Sequence, residues 1–281
     1  MEKEKKVVLI TGVSSGFGYD AAKMLFDKGL IVYGVARREN KLNELKEYGI
    51  NTYKLDITNY DETKRIVDEI LLKEKKIDIL INNAGYGELG PIEAISLEDA
   101  KKQMEINVFA MANITKLIIP SMRLNKKGRI INISSVAGRV TTYFGGWYNI
   151  SKYAVEALTD SLRIDLKKYG IKVTAIEPGP FKTNWGILAS ENLVKSTQNT
   201  IYEKDGKEVA NFYKDGYSKK SLLISDSIKV SKKIVKVSLK KHIKARYLVG
   251  RFTKLMVLAD KVFPTSITDK IKAKTKRKEI K

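Results

Sequence analysis

Nothing in this sequence constrains its fold more than a regular alternation of short apolar runs with amphipathic stretches, sustained over the first two thirds of 281 residues. Val7–Thr11, Ile31–Ala36, Thr52–Leu55, Ile77–Ile81, Ile130–Ile133 and Val173–Ile176 read as strands. Between them lie helical patterns. Residues 17–28 place Ala21, Ala22, Leu25 and Phe26 at helical spacing, Lys41–Tyr48 is a short helix, and Thr58 is the expected cap of a helix reaching about Leu72. A long helix starts near Ser96, with Glu98 and Asp99 in its first turn, and another covers 147–168. Residues 226–241 resume a helix, and Arg246–Gly250 is a last candidate strand. Strands separated this way cannot close as hairpins. They must pair in parallel through helical crossovers and be buried on both faces. The expected fold is α/β: one doubly wound parallel sheet of the Rossmann class spanning 1–281 as a single domain.

Composition narrows the chemistry. There is no cysteine, which excludes disulfides, thiol nucleophiles and thiolate-held zinc. The one histidine, His242, lies between Lys241 and Ile243 in a lysine-rich stretch and reads as a solvated surface group, so no metal site is expected. The charged start, Met1–Lys6, runs straight into a strand, and no apolar run reaches the length of a membrane span; the expectation is a cytoplasmic protein.

Ligands of doubly wound sheets bind beyond the carboxyl ends of the strands. The first strand ends in Thr11-Gly12-Val13-Ser14-Ser15-Gly16-Phe17-Gly18. Glycines there allow a tight turn and close approach of a pyrophosphate to the amides of a helix start. The second strand ends in Ala36, followed by Arg37 and Arg38, with no acid for a ribose 2′-hydroxyl. An arginine fork suits a 2′-phosphate, and Ser14 adds a hydroxyl. NADP(H) is therefore expected in preference to NAD(H).

Tyr148 and Lys152 sit four residues apart on a helical pattern and so share a face. A nearby ammonium lowers a phenol pKa and makes it a usable acid or base near neutrality. Tyr19–Lys23 and Tyr60–Lys64 match the same spacing. Only Tyr148 follows an apolar strand ending in serines, Ser134 and Ser135.

With these residues in place, the sequence resembles the short-chain dehydrogenase/reductase family of the single-domain kind. The resemblance rests on the glycine turn at 11–18, Asn82-Asn83-Ala84-Gly85, Asn107, Ser135, Tyr148, Lys152, and Pro178-Gly179 with Thr183, in family order over roughly residues 5–185. It implies that Tyr148 is the general acid/base, that Lys152 binds the nicotinamide ribose and depresses the tyrosine pKa, that Ser135 bonds the reacting oxygen, and that Asn107 holds a relay water. It further implies contacts from Asp56 and Ile57 to the adenine, from Asn83, Ala84 and Gly85 beside the adenine ribose, and from Pro178, Gly179, Phe181 and Thr183 to the nicotinamide. Read without the family, Asn107 is equally a polar residue inside a helix, Asp56 a turn cap and Asn83 a turn residue. The family also implies a small-molecule alcohol or carbonyl substrate and a homo-oligomer, dimer or tetramer, built through the long helices. Alternative activities are an epimerase or dehydratase on the same fold, or an NADPH-binding sensor with little turnover.

Two segments fall outside this core. Residues 184–220 break the rhythm and read as a substrate lid, or else as a surface loop. Tyr86, Tyr143, Phe144 and Trp185 are expected near the pocket, which suggests an apolar substrate. The charge of +21 is a tail property: residues 219–281 hold 20 Lys and Arg against four acids. In the extension over 251–281, Phe252, Leu255, Met256, Leu258, Ala259, Val262 and Phe263 recur near helical spacing. The favoured reading is a docked core helix or lid with a frayed end at Lys274–Lys281. A helix resting on an anionic membrane is the second, and nucleic-acid binding a distant third. Arg246-Tyr247-Leu248-Val249-Gly250 resembles the subgroup containing 17β-hydroxysteroid and retinol dehydrogenases.

Overall fold

Alternate residues of each central strand belong to opposite faces, and here both faces are apolar. Val8, Ile10, Ile79, Ile81, Ile131 and Ile133 point to one buried cluster, and Val7, Leu9, Leu80 and Ile130 to another. That pattern requires cover on both sides, and helices supply it. The computed structural model describes residues 5–218 and 224–274. Seven strands form one parallel sheet: β1 (Val7–Thr11), β2 (Ile31–Ala36), β3 (Asn51–Lys54), β4 (Ile79–Asn82), β5 (Gly128–Ile133), β6 (Ile171–Pro178) and, after a two-residue pair of β7 (Phe181–Lys182) with β8 (Ser225–Asp226), β9 (Arg246–Val249). Their order is β3-β2-β1-β4-β5-β6-β9.

On the first face Leu25 of α1 (Gly16–Phe26), Leu42 and Leu45 of α2 (Glu39–Glu47) and Val230, Ile234 and Val237 near the C-terminus are buried. The second face takes Ile66 and Ile70 of α3 (Tyr60–Glu74), then Ile114 and Ile118 from the long helix beyond residue 96. That helix is broken into α4 (Leu97–Met104), a π-helical turn over Glu105–Phe109, and α5 (Ala110–Leu124). Next to it lies α6 (Gly146–Leu166). A buried polar chain pins this layer to the sheet: Asn82 donates to Asn132 (2.8 Å) and Thr115 (3.0 Å), and Asn132 donates to Thr159 (2.9 Å). Both amide nitrogens find buried acceptors, so the chain fixes the lateral register of β4, β5, α5 and α6.

The sequence expectation of a doubly wound sheet holds. Local details differ. The cap of α3 is Asn59, whose side chain accepts from the Glu62 amide at 3.0 Å, and not Thr58, whose hydroxyl donates to Asp56. Both residue types cap helices, and the one-residue difference is decided by where Asp56 turns the chain. Residues 184–218 are two helices, α7 (Asn184–Thr197) and α8 (Glu203–Ser218), rather than a loop; 219 and 220 lie outside the described residues. The chain continues through α9 (Ile228–Leu239) to α10 (Thr253–Val262) and α11 (Thr265–Lys274). The expectation of a docked core helix fails for most of α10. Thr253 and Val257 are buried, whereas Leu255, Leu258 and Val262 are 61%, 58% and 67% exposed. The frayed end expected at Lys274–Lys281 falls, beyond Lys274, outside the described residues. His242 is exposed.

Candidate active site

The chain leaves β3 on one side of β1 and enters β4 on the other, so a crevice opens beyond the carboxyl ends of β1 and β4. The two strand ends are stitched together. Thr11 Oγ1 accepts from the amides of Asn83 and Ala84, both at 3.0 Å, and Asn83 Nδ2 donates to the carbonyls of Thr11 and Gly12, both at 3.0 Å. A Cβ on Gly12, at φ +73°, would lie 2.8 Å from the Ala84 Cα; one on Gly18 would strike the Asn83 amide. Glycine is therefore required by the contact between the two turns as well as by any ligand.

The first turn of α1 has no side-chain cap, its N-cap Ser15 being extended and unbonded to the helix amides. Those amides and the bare glycines fit a pyrophosphate, the chemistry a dinucleotide brings. Beside them the Arg38 guanidinium is fixed by Ser14 and Ser15: Nε donates to Ser14 Oγ (3.1 Å) and Nη2 to Ser15 Oγ (2.7 Å) and the Ser14 carbonyl (3.1 Å). The expected fork is split, because Arg37 turns to Asp56, 3.7 Å away and well exposed. Asp56 Oδ1 accepts from the amide and hydroxyl of Thr58, and Ile57 is buried behind it. Across the crevice Thr183 meets the glycine turn, its Cγ2 being 3.7 Å from where a Gly16 Cβ would stand, and Phe181 packs edge-on against Phe17 at 5.9 Å. Pro178 and Gly179 follow from the end of β6, where the Gly179 amide bonds the Val249 carbonyl at 2.8 Å.

Tyr148 and Lys152 lie on the first two turns of α6. The Lys152 Nζ is 5.8 Å from the Tyr148 ring centre and donates to the Ile133 carbonyl at 3.1 Å. Only 5% of Lys152 is exposed, and burial pushes its ammonium down to about 8 although Glu156 opposes the shift. Ser135 stands two residues beyond Ile133. Its hydroxyl accepts from the Ala137 amide (3.1 Å) and faces the Pro178 carbonyl (3.4 Å). Asn149 fastens α6 to the 136–140 turn by donating to the carbonyls of Ala137 (2.7 Å) and Val140 (3.1 Å).

Asn107 occupies the π-helical turn, and its amide is saturated by both backbone groups of Tyr86 (2.8 Å each) and by Ser151 Oγ (2.9 Å). Such turns displace one residue from the regular ladder. Here the displaced residue clamps the chain just after Gly85, whose open side faces Asn107 Oδ1 and Lys152 Nζ. No periodicity or composition in residues 105–109 marks this turn.

The aromatic residues expected near the pocket converge in part. Trp185 of α7 lies over Tyr148 (ring centres 5.0 Å) and fills the space left by Gly87, while Tyr143 stacks on Phe144 at 4.1 Å. They share an apolar cluster with Leu89 and with Ala189, Leu193 and Ala210 of the two inserted helices. Tyr86 instead bonds Glu88, whose buried carboxylate also accepts from Asn192 of α7 at 2.9 Å.

Sequence reasoning missed a charged cluster behind this layer. Arg246 of β9 donates to Glu156 (2.7 Å) and to Asp160 of α6, and reaches Glu177 of β6 at 3.3 Å; Arg139 reaches Glu177 at 3.2 Å. Burial, with Glu156 beside it, raises the Glu177 carboxyl to about 7. The signal was an acid inside an apolar strand, Val173-Thr174-Ala175-Ile176-Glu177, where a charge needs partners.

Residues 6–192 match the family model for short chain dehydrogenases. Over 265 residues the chain is 35% identical to a probable short-chain type dehydrogenase/reductase of Helicobacter pylori, covering 94% of this chain and 96% of the relative. It is 34% identical to an NADPH-dependent 3-dehydrocapnine reductase of Ornithobacterium rhinotracheale, covering 95% of each. Among solved structures it superimposes on a short-chain dehydrogenase from Streptomyces avermitilis with a TM-score of 0.80 at 26% identity and 98% coverage of both chains. A closed serine dehydrogenase complexed with NADP+ gives 0.75 at 26% identity, over 88% of this chain and 95% of that one.

The buried ammonium has a measurable consequence. Unfolding returns Lys152 from about 8 to its ordinary value near 10.5, so the unfolded chain binds more protons between those limits. Stability contributed by this group must therefore rise with pH across that window. In denaturant titrations of the protein without cofactor, wild type should gain about 2 kcal/mol relative to Lys152→Met between pH 8 and 10. Parallel curves for the two proteins would show that the amine is not held in a desolvating site.

Proposed function

Because the chain belongs to the short-chain dehydrogenase/reductase family, we propose that it interconverts an apolar alcohol and its carbonyl using NADP(H) in preference to NAD(H). It is an oxidoreductase of CH–OH groups, as its named relatives are. The observation that carries the reading is the Lys152 ammonium, buried within 5.8 Å of the Tyr148 ring at the mouth of the strand-end crevice.

When bound, NADP(H) supplies or accepts the hydride. The residues of the chain do the rest. Tyr148 hands its phenolic proton to the carbonyl oxygen in reduction and takes it back from the alcohol in oxidation. Lys152 stabilises the phenolate and lowers its pKa, and the same ammonium would hold the nicotinamide ribose hydroxyls. Ser135 donates its hydroxyl to the same substrate oxygen as charge builds there. Asn107 holds the chain at Tyr86 beside Lys152, and a water at the π-helical turn would link that amine to solvent. Thr11, Gly12, Ser15, Gly16, Phe17 and Gly18 would cradle the pyrophosphate; Asp56, Ile57, Asn83, Ala84 and Gly85 the adenosine; Pro178, Gly179, Phe181 and Thr183 the nicotinamide. Arg38, with Ser14 and Ser15, would grip the 2′-phosphate, and Arg37 contributes at longer range. The NADPH dependence of the 3-dehydrocapnine reductase and the NADP+ bound by the serine dehydrogenase support this choice.

The helices α7 and α8 would serve as the substrate lid. Their aromatic contacts over Tyr148 support an apolar substrate, and Trp185 would have to shift to admit it. The long helices offer Phe109, Ile150, Tyr153 and Ile164 as exposed apolar side chains for a homo-oligomer. No described helix is long and apolar enough to cross a membrane. The solvent-facing stripe Leu255, Leu258 and Val262 supports peripheral contact with an anionic bilayer instead. Lys254 and Lys261 flank it, so a second copy of the same stripe would bring like charges together, while anionic headgroups would neutralise them.

Three measurements test these assignments. NADPH should bind at least about tenfold tighter than NADH, a difference of roughly 1.4 kcal/mol, and Arg38→Ala should remove most of that gap while Arg37→Ala removes less. Equal affinities in wild type would end the cofactor assignment. Tyr148→Phe should keep NADPH binding and lose about 10²–10⁴-fold in turnover across a panel of apolar ketones and aldehydes; undiminished turnover would exclude Tyr148 as the acid. Co-sedimentation with phosphatidylglycerol vesicles, weak on phosphatidylcholine, should be lost in Leu258→Glu. Unchanged pelleting, or a dimer that the same substitution dissolves, would overturn the bilayer assignment.

A further inference from the structure

The four elements that hold the candidate catalytic layer meet behind it in one polar cluster. The 136–139 turn follows Ser135 and ends at Arg139. Helix α6 carries Lys152 and, one turn later, Glu156. Strand β6 brings Glu177 immediately before Pro178, and β9 brings Arg246. The packing is close: a Cβ on Gly138 would lie 2.7 Å from the Lys152 carbonyl and 3.0 Å from the Glu156 Cγ.

Within the cluster two carboxylate oxygens go without a donor. Glu156 Oε2 and Glu177 Oε1 take the guanidinium contacts of Arg246 and Arg139. Glu156 Oε1 and Glu177 Oε2 are buried and have no donor. Glu177 is fully buried and Glu156 is 5% exposed, and a single nitrogen, Arg246 Nε, reaches both carboxyls, at 2.7 Å and 3.3 Å. The other charges facing them are Lys152 and Asp160 on α6, and Asp160 is also bound by Arg163 at 2.5 Å. Two ionised carboxylates held this close by one guanidinium would repel and would leave both spare oxygens unpaired. A single proton between them removes both penalties.

We propose that Glu156 and Glu177 share one proton and form a pH-sensitive clasp, closed by Arg139 and Arg246, that ties α6 to the end of β6 directly behind Lys152 and Pro178. The clasp goes beyond the hydride-transfer reading and does not rest on it. Its two acids are positioning residues. Loss of the shared proton sets a second negative charge against the first and loosens the junction of α6 with β6.

The sign follows from the raised carboxyl. The folded protein keeps a proton that the unfolded chain has released, so the stability it supplies is full below the ordinary glutamate pKa and is lost as pH rises through about 7. Glutamine at either position supplies an amide donor in place of the shared proton and does not titrate. Between pH 5.5 and 8.5 the thermal midpoint of wild type should fall by about 5 °C relative to that of Glu177→Gln. Infrared titration of the full chain should show a protonated carboxyl band at pH 6 that disappears near neutrality and is missing in both Glu177→Gln and Glu156→Gln. Either variant suffices if the other does not fold. Superimposable midpoint profiles for wild type and variant, or a band that survives in the variants, would overturn the shared proton and leave an ordinary set of ion pairs.

Discussion

The crevice exists because two strand ends that are 72 residues apart in sequence are stitched by one threonine and one asparagine. Thr11 Oγ1 receives two amides from the turn after β4, and the Asn83 amide returns two bonds to the turn after β1. Four hydrogen bonds between turns leave no room for side chains, which is why glycines stand at 12 and 18. With the turns so held, the start of α1 faces the crevice and the chain beyond Gly85 can be clamped by Asn107. The surface proposed for the dinucleotide is then backbone held in place by the fold itself, which would leave little ordering cost on binding.

Much of this was legible in the residues themselves. Strands buried on both faces are continuous apolar runs, and they read so plainly that the bounds of β1 and β2 do not move and β5 starts only two residues earlier than its apolar run. Tyr148 and Lys152 were legible because helical spacing converts directly into proximity. What escaped was of three kinds. Neighbouring residues with the same chemistry cannot be ranked by pattern, so Arg37 with Arg38 and Thr58 with Asn59 needed the three-dimensional course of the chain. Periodicity says that α10 has an apolar stripe but not which way the stripe faces. Contacts between distant segments, such as Glu156 with Arg246, 90 residues away, leave no local trace.

The π-helical turn belongs with the last kind, since Glu105-Ile106-Asn107-Val108-Phe109 carries no periodic mark of it. Its value is positional. A regular helix from Leu97 to Leu124 would rotate one of its halves by about 100° for the residue it absorbs. In that helix the Ile114 and Ile118 contacts with the sheet could not coexist with Asn107 beneath Tyr86.

The inserted helices and the charged tail sit at opposite extremes of burial. Trp185 is held down on Tyr148 and Gly87, whereas α10 keeps only Thr253 and Val257 on the body. The attachment of Trp185 has a kinetic implication. With Tyr148 as the proposed proton donor, an indole seated on its phenol occupies ground that a substrate carbonyl would have to reach, and entry would require the first turn of α7 to yield. Selectivity between substrates would then depend on how well each one replaces the displaced ring, and traffic through the doorway would become a step of every cycle.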